Sequence, residues 1–300
     1  MKKKTYLFAL MTMALTLGSC SNNEDGIGGE TSKYITVSTS IGNMTRVATD
    51  AKGGQTFEEG DEISVYAWTG APTVAPETSE RVVNNAINKL TNGSWVSTPQ
   101  MLWKNNREKH YFIGVYPTAA ISDLSAGEYT FDVNKQTESD LLVAVNPDGL
   151  SYSADAQQIV PLTFTHVMAK LAVNLTYKNQ WGGIPTVEKV VVGNAAKEAT
   201  INYLTKVVTP STTAKEDFSL PEITENTKYV SVIIPQEDVK QLTIVIGGKN
   251  FVYDNGTPFK LESGKITTVN LEVGRDEIKL GDVKITNWED GSTFSGEALN

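Results

Sequence analysis

From residue 33 onward, apolar side chains recur at every second position, and this period restricts the possible folds more than any other feature of the chain. Ile35, Val37 and Ile41 alternate with Thr36, Ser38 and Ser40, and Tyr129, Phe131 and Val133 alternate with Thr130 and Asp132. Ala169, Leu171, Val173 and Leu175 alternate with Lys170, Asn174 and Thr176, and Val269, Leu271 and Val273 alternate with Asn270 and Glu272. Successive strand residues point to opposite faces, so each such segment buries one face and wets the other. Leu242, Ile244 and Ile246 run through Gly247-Gly248-Lys249-Asn250 into Phe251 and Tyr253, which reads as a hairpin. Residues 141–145, and residues 230–234 apart from Ser231, are apolar and suit strands covered on both faces. The pattern predicts an all-β chain of antiparallel sandwiches. One segment leaves two readings open: Val82, Val83, Ala86, Ile87 and Leu90 have helical spacing behind Ser79, a candidate N-cap, but Asn84, Asn85 and Asn88 weaken a helix.

The N-terminus follows different rules. Lys2, Lys3 and Lys4 precede a nearly unbroken apolar run over residues 6–17, and Leu17-Gly18-Ser19-Cys20 closes it. A positive start, a short apolar core and small residues before a cut describe a secretory signal at 1–19. The run is shorter than the roughly 20 residues that span a bilayer. Small residues ahead of Cys20 let a signal peptidase hold the chain extended, and its thiolate is the nucleophile that would take a diacylglycerol. Leu-Gly-Ser-Cys resembles a lipobox, so Cys20 is assigned as the lipidation site, with an ordinary signal peptide as the alternative. Residues 20–32, with Ser21-Asn22-Asn23-Glu24-Asp25-Gly26, bury too little apolar area to order themselves and read as a flexible tether. The acids there partly resemble a surface-export signal, interrupted by Asn22 and Asn23.

Loss of residues 1–19 lowers Lys plus Arg from 26 to 23 against 35 acids, moving the net charge from −9 to −12. Such a chain repels phosphate backbones, which argues against nucleic-acid partners. Cys20 is the single cysteine, so disulfides and cysteine-held metals are excluded and the core must supply the stability. The length suits one large or two ordinary domains. The polar stretch 148–158 and the new strand series from Pro161 place a divide near residue 160, giving domains at 33–160 and 161–300.

Chemistry is sparse. His110 and His166 are the only histidines, both beside strand-like segments, where a lone imidazole is more often a hydrogen-bonding core residue than a base or ligand. The nucleophile elbow, the phosphate-cradling loop and the His-Glu-x-x-His motif are all missing. Asp61/Glu62, Asp276/Glu277 and Glu289/Asp290 are paired acids, but neighbours on a strand face opposite ways and do not flank a sugar. Asn146, Asp148 and Asp155 lack the spacing of a calcium loop. We therefore expect no catalytic residues, no cofactor and no metal. Trp68, Trp95, Trp103 and Trp288 lie in or beside strand patterns and suit the core, whereas Trp181, between Gln180 and Gly182, is the better candidate for stacking on a ligand.

Several segments in order carry a resemblance: Thr45-Arg46; residues 57–67; Asn84-Asn85-Ala86; Leu102-Trp103; residues 111–117; residues 140–144; residues 164–171; Gly264-Lys265; and residues 285–291. The series resembles the fimbrillin (Mfa-like) family of Bacteroidales lipoproteins and covers nearly all of the chain after residue 33. The resemblance implies two tandem transthyretin-like antiparallel β-sandwich domains and a role as a type V pilus subunit at the outer membrane and in the fimbria. It further implies cleavage by an arginine-specific protease, with Arg46 at the matching position, and replacement of the released first strand by a strand from another fimbrial subunit. It also favours strand over helix at residues 84–90. The chain departs from a stalk subunit near its end, where residues 292–300 are polar apart from Phe294, Ala298 and Leu299, and the alternation of residues 277–285 slips at Gly281-Asp282. Stalk, tip and anchor roles therefore stay open, as does a surface receptor. The alternative function is a monomeric surface lipoprotein that binds a glycan.

Overall fold

The alternating segments become strands, although the one at residues 129–133 is strand only as far as Thr130. The architecture comes from a computed structural model, in which residues 33–42, 56–153, 158–254 and 256–288 are described. Cys20, Arg46, Asp155, Glu289 and Asp290 lie outside the described residues. The described residues fall in one compact unit.

Among the described residues the strands assemble into four sheets. The largest comprises β1 (Thr36–Ile41), β2 (Glu62–Thr69), β3 (Val83–Thr91), β4 (Ser94–Thr98), β5 (His110–Tyr116), β7 (Leu142–Leu150) and β8 (Ile159–His166), in the order β1-β8-β7-β5-β2-β3-β4. β6 (Gly127–Thr130) joins β11 (Glu198–Asn202) and β12 (Val207–Pro210) in a sheet of three. β10 (Val187–Ala196), β13 (Lys215–Ser219), β16 (Gln241–Ile246) and β17 (Lys249–Asp254) form the order β13-β10-β16-β17. β9 (Ala169–Tyr177), β14 (Glu222–Thr224), β15 (Lys228–Ile233), β18 (Lys265–Val273) and β19 (Ile278–Asn287) form the order β14-β15-β9-β18-β19. A single helical turn, α1 (Gln136–Ser139), precedes β7.

The sheets are antiparallel with two exceptions, β1 against β8 and β9 against β18. Those partners are far apart in sequence, so no hairpin forces them to run in opposite directions. The expected hairpin is β16–β17, and its turn residues Gly247 and Gly248 have φ of 58° and 71°. Two consecutive positive φ angles make the type I′ turn whose twist matches the flanking strands. The open segment is strand β3, where Asn85 takes φ 56° and the ladder with β2 slips between Val65 and Ala67. A bulge thus absorbs the irregular asparagines that a helix would have had to tolerate. A second slip, between Val269 and Leu271 opposite β19, accommodates the broken alternation at Gly281.

The large sheet buries both faces. Residues 63–68 of β2 are all buried: Tyr66 and Trp68 join the core shared with β9, β10, β15, β16 and β18, while Ile63, Val65 and Ala67 enter a second core. That second core also contains Ile35, Val37, Met101, Trp103, Phe112, Val160, Leu162 and Phe164. On the first face Arg81, 8% exposed, donates to the carbonyls of Ile121 (2.6 Å) and Ser122 and to Asn84 Oδ1 (2.9 Å). Its guanidinium also lies 5.4 Å from the centre of the Tyr66 ring. The Tyr66 hydroxyl accepts from Ile121 N–H at 3.0 Å, so the two side chains fix the loop at residues 119–122.

Candidate functional site

The seat of β1 is the most functionally suggestive part of the molecule. β1 pairs with β8 from Thr36 opposite Ile159 to Ile41 opposite Phe164, and the Gly42 N–H donates to the Phe164 carbonyl at 2.8 Å. On its other side Ile35 N–H donates to Met101 O (3.0 Å), Trp103 N–H donates to Lys33 O (3.2 Å), and Tyr34 bridges to Leu102. β1 therefore closes the gap between β8 and the chain that follows β4. Without it, both flanking backbones would lose main-chain partners, and unpaired edge groups invite another strand.

Side chains reinforce this placement. Ile35 is 1% and Val37 6% exposed, in phase with Val160, Leu162 and Phe164 of β8, while Ser38 and Ser40 face outward. Thr39 lies between, and its Oγ1 accepts the indole N–H of Trp95 at 3.0 Å. Phe57 closes the far end, edge-on to Trp95 (5.3 Å), Tyr116 (5.4 Å) and Phe164 (5.1 Å). The Phe164 ring sits directly on Gly114, where an added β-carbon would come within 2.6 Å of the ring. Burying Ile35 and Val37 contributes about 5 kcal/mol at about 1.5–3 kcal/mol per aliphatic side chain, comparable with the low end of the net stability of a domain. An emptied seat is thus strongly driven to refill.

Trp103, on the rim of the seat, is held by a histidine. The His110 ring is edge-on to it at 5.0 Å, with Phe112 at 5.7 Å. His110 is fully buried; its Nε2 accepts Lys104 N–H (3.0 Å), which assigns the proton to Nδ1, 3.2 Å from Glu108 O. Burial pushes its pKa below that of a free imidazole, against the opposing pull of the Glu108 carbonyl and carboxylate. His166 sits elsewhere, with Nδ1 2.7 Å from Asp140 and its ring stacked 4.1 Å from Trp288, which carries Lys170 on a face at 4.2 Å. Both histidines are thus engaged in packing and hydrogen bonds within the fold.

Several other sequence candidates are likewise tied into the fold. Asp61 accepts Glu58 N–H at 2.7 Å, Glu62 pairs with Lys89 at 3.0 Å, and Glu277 pairs with Lys178. Asn146 Oδ1 is occupied by Gly149 N–H at 2.9 Å. Among the described residues, no group of three or more histidines, cysteines or acids could hold a metal. Trp181, expected as an exposed platform, is half-buried: its indole donates to Val273 O (2.9 Å), it meets Phe251 edge-on, and Arg275 covers it at 5.4 Å. The flanking glycines suggested exposure, but they form a turn that lays the indole against β18. Sequence reasoning did not single out Phe57, Gly114 or Phe164 for the seat and read Trp95 as core alone. Nothing local marks a residue as neighbour to a strand so distant in sequence.

A family model described as fimbrillin-like matches residues 45–288. Comparison with curated proteins yields no significant match. A putative cell adhesion protein from Bacteroides ovatus superposes with a TM-score of 0.61 at 18% identity, covering 85% of this chain and 98% of that one. A putative cell adhesion protein from Bacteroides uniformis gives 0.60 at 18% identity, covering 86% and 100%. A fimbrial protein from Bacteroides vulgatus gives 0.52 at 13% identity, covering 84% and 99%. At these identities the likeness is one of fold, and it extends over nearly the whole of each solved chain.

Proposed function

The chain belongs to the fimbrillin-like family, which is structural rather than enzymatic, and from that premise we propose that it is a subunit of a cell-surface fimbria that assembles by strand exchange. In this reading Cys20 carries the lipid that holds the precursor at the outer membrane. A cut after Arg46 then discards lipid, tether and β1 together, and a strand from a neighbouring subunit takes the vacated place. Two tandem transthyretin-like sandwich domains, divided near residue 160, form the body of the subunit; the strands of the large sheet end at His166.

The observation that carries this reading is the position of β1. The strand is two-faced, it is paired with β8 along its length and tied to Met101 and Trp103 through Ile35 and Lys33 just before it, and Arg46 follows shortly after its end at Ile41. One cut there would sever the covalent link between β1 and everything it packs on, and departure of the strand would leave an apolar slot lined by unpaired donors and acceptors. Strand addition uses such a slot: main-chain bonds supply affinity and alternate side chains fill pockets. The trapped indole of Trp181 removes the feature that most favoured a glycan-binding monomer.

The lipid part is tested by labelling cells with a tagged palmitate. Wild-type chain should take the label and reach the outer membrane, and Cys20→Ala should do neither. Label retained by Cys20→Ala would place the lipid elsewhere or remove it from the account.

A further inference from the structure

Resting on the strand-exchange reading, we infer that the seat of β1 selects its occupant by side chain: aliphatic residues at the first, third and seventh positions and a hydroxyl at the fifth, running parallel to β8. Ile35, Val37, Thr39 and Ile41 occupy those positions, and the inward phase matches Val160, Leu162 and Phe164. The fifth position is distinctive. Apart from Asn88, buried beside Met101, this core is built of apolar and aromatic side chains, but Trp95 directs its indole N–H at Thr39 Oγ1 from 3.0 Å. Trp95 is half-buried and braced edge-on by Phe57, so the donor is in place before any strand arrives. An aliphatic side chain at this position would leave a partly desolvated N–H without an acceptor, and such a loss exceeds that of removing both partners.

The remaining positions set length and direction. Phe57 and Phe164 wall off the slot at the seventh position. At the eighth, Gly42 takes φ 69° while donating to Phe164 O, so the strand ends on a glycine that turns the chain away. Of the even positions, Ser38 and Ser40 are exposed and impose little, whereas Thr36 is half-buried with its hydroxyl enclosed. A reversed strand would move its hydroxyl off Trp95 and its main-chain donors out of register with Met101.

This pattern excludes β19 as the occupant. Ile278-x-Leu280-x-Asp282-x-Lys284 puts an acid and a lysine at the fifth and seventh positions, and Val283-x-Ile285-x-Asn287-x-Glu289 puts a carboxylate against Phe57 and Phe164. The occupant this pattern calls for is a strand of another subunit that carries aliphatic, aliphatic, hydroxyl, aliphatic at alternate positions.

The test clips the folded chain after Arg46 and adds dye-labelled peptides of residues 33–42 to compete for the slot. Wild-type and Thr39→Ser peptides should exchange in with similar affinity. Thr39→Val should bind about five- to tenfold more weakly, the size of one hydrogen bond, and Val37→Lys should not bind. Against a clipped Trp95→Phe chain the difference between the threonine and valine peptides should vanish. Equal binding of the threonine and valine peptides to wild type overturns the selection rule and leaves strand exchange standing, and this comparison does not need the Trp95 variant to fold. Failure of every peptide to enter, or failure of the cut, removes strand exchange and the rule with it.

Discussion

Arg81 and His110 are buried polar residues whose side chains are held by specific partners. Arg81 has no carboxylate at hydrogen-bond distance among the groups that bind it; carbonyls, an asparagine and the Tyr66 ring do that work. Burial lowers its pKa, with Tyr66, Asp123 and Glu77 pulling the other way. Arg81→Met should destabilise by about 3 kcal/mol, since hydrogen bonds to a charged group are worth about 1.5–3 kcal/mol each and the stranded carbonyls remain; a urea midpoint measures this. His110 has a lowered folded pKa, so the unfolded chain takes up more protons as acid is added. Its contribution is therefore complete above the unfolded value of about 6.5 and declines as pH falls below it. Urea midpoints should fall as pH drops below about 6.5, and His110→Gln should flatten that part of the profile relative to wild type. The packing role of both histidines was legible in the sequence because each sits beside a strand. The link between Trp95 and Thr39 was not, because it joins residues whose separation in sequence carries no periodic signal.

At the scale of elements, β1 is the strand on which the proposed function turns. Ile35→Ala should cost about 3 kcal/mol through lost burial and a cavity, while Ser38→Ala on the outer face should stay within about 0.5 kcal/mol. Thermal unfolding of the uncut chain separates the two, and Ile35→Ala should also speed exchange of β1 after cleavage. Period two identified β1, β6, β9, β16, β17 and β18, and the Gly247-Gly248 turn followed from the φ angles that hairpins demand. Periodicity alone could not decide β3, where a bulge at Asn85 disguises the alternation as helical spacing, whereas the family resemblance favoured the strand that forms. Nor could it show that β1 and β9 make parallel pairs, because pairing direction between distant strands is set by the returning chain and not by either strand.

At the scale of the whole molecule, assembly depends on where the protease cuts and what happens next. The chain has four arginines. Arg81 is buried and multiply bonded, Arg275 lies over Trp181 in the tight turn before β19, and Arg107 sits in a turn knit by Asn105. Proteases need locally extended, accessible backbone, so brief digestion with an arginine-specific enzyme should cut first after Arg46, read by the mass of the large fragment. The most direct measurement follows the oligomeric size of purified residues 21–300 after this digestion, mixed with the subunit that supplies the strand, for wild type and Arg46→Ala. The account predicts that cleaved wild type loses β1 and enters larger assemblies while Arg46→Ala stays monomeric. Cleaved wild type that keeps β1 in place and remains monomeric, or Arg46→Ala that assembles equally well, would contradict it.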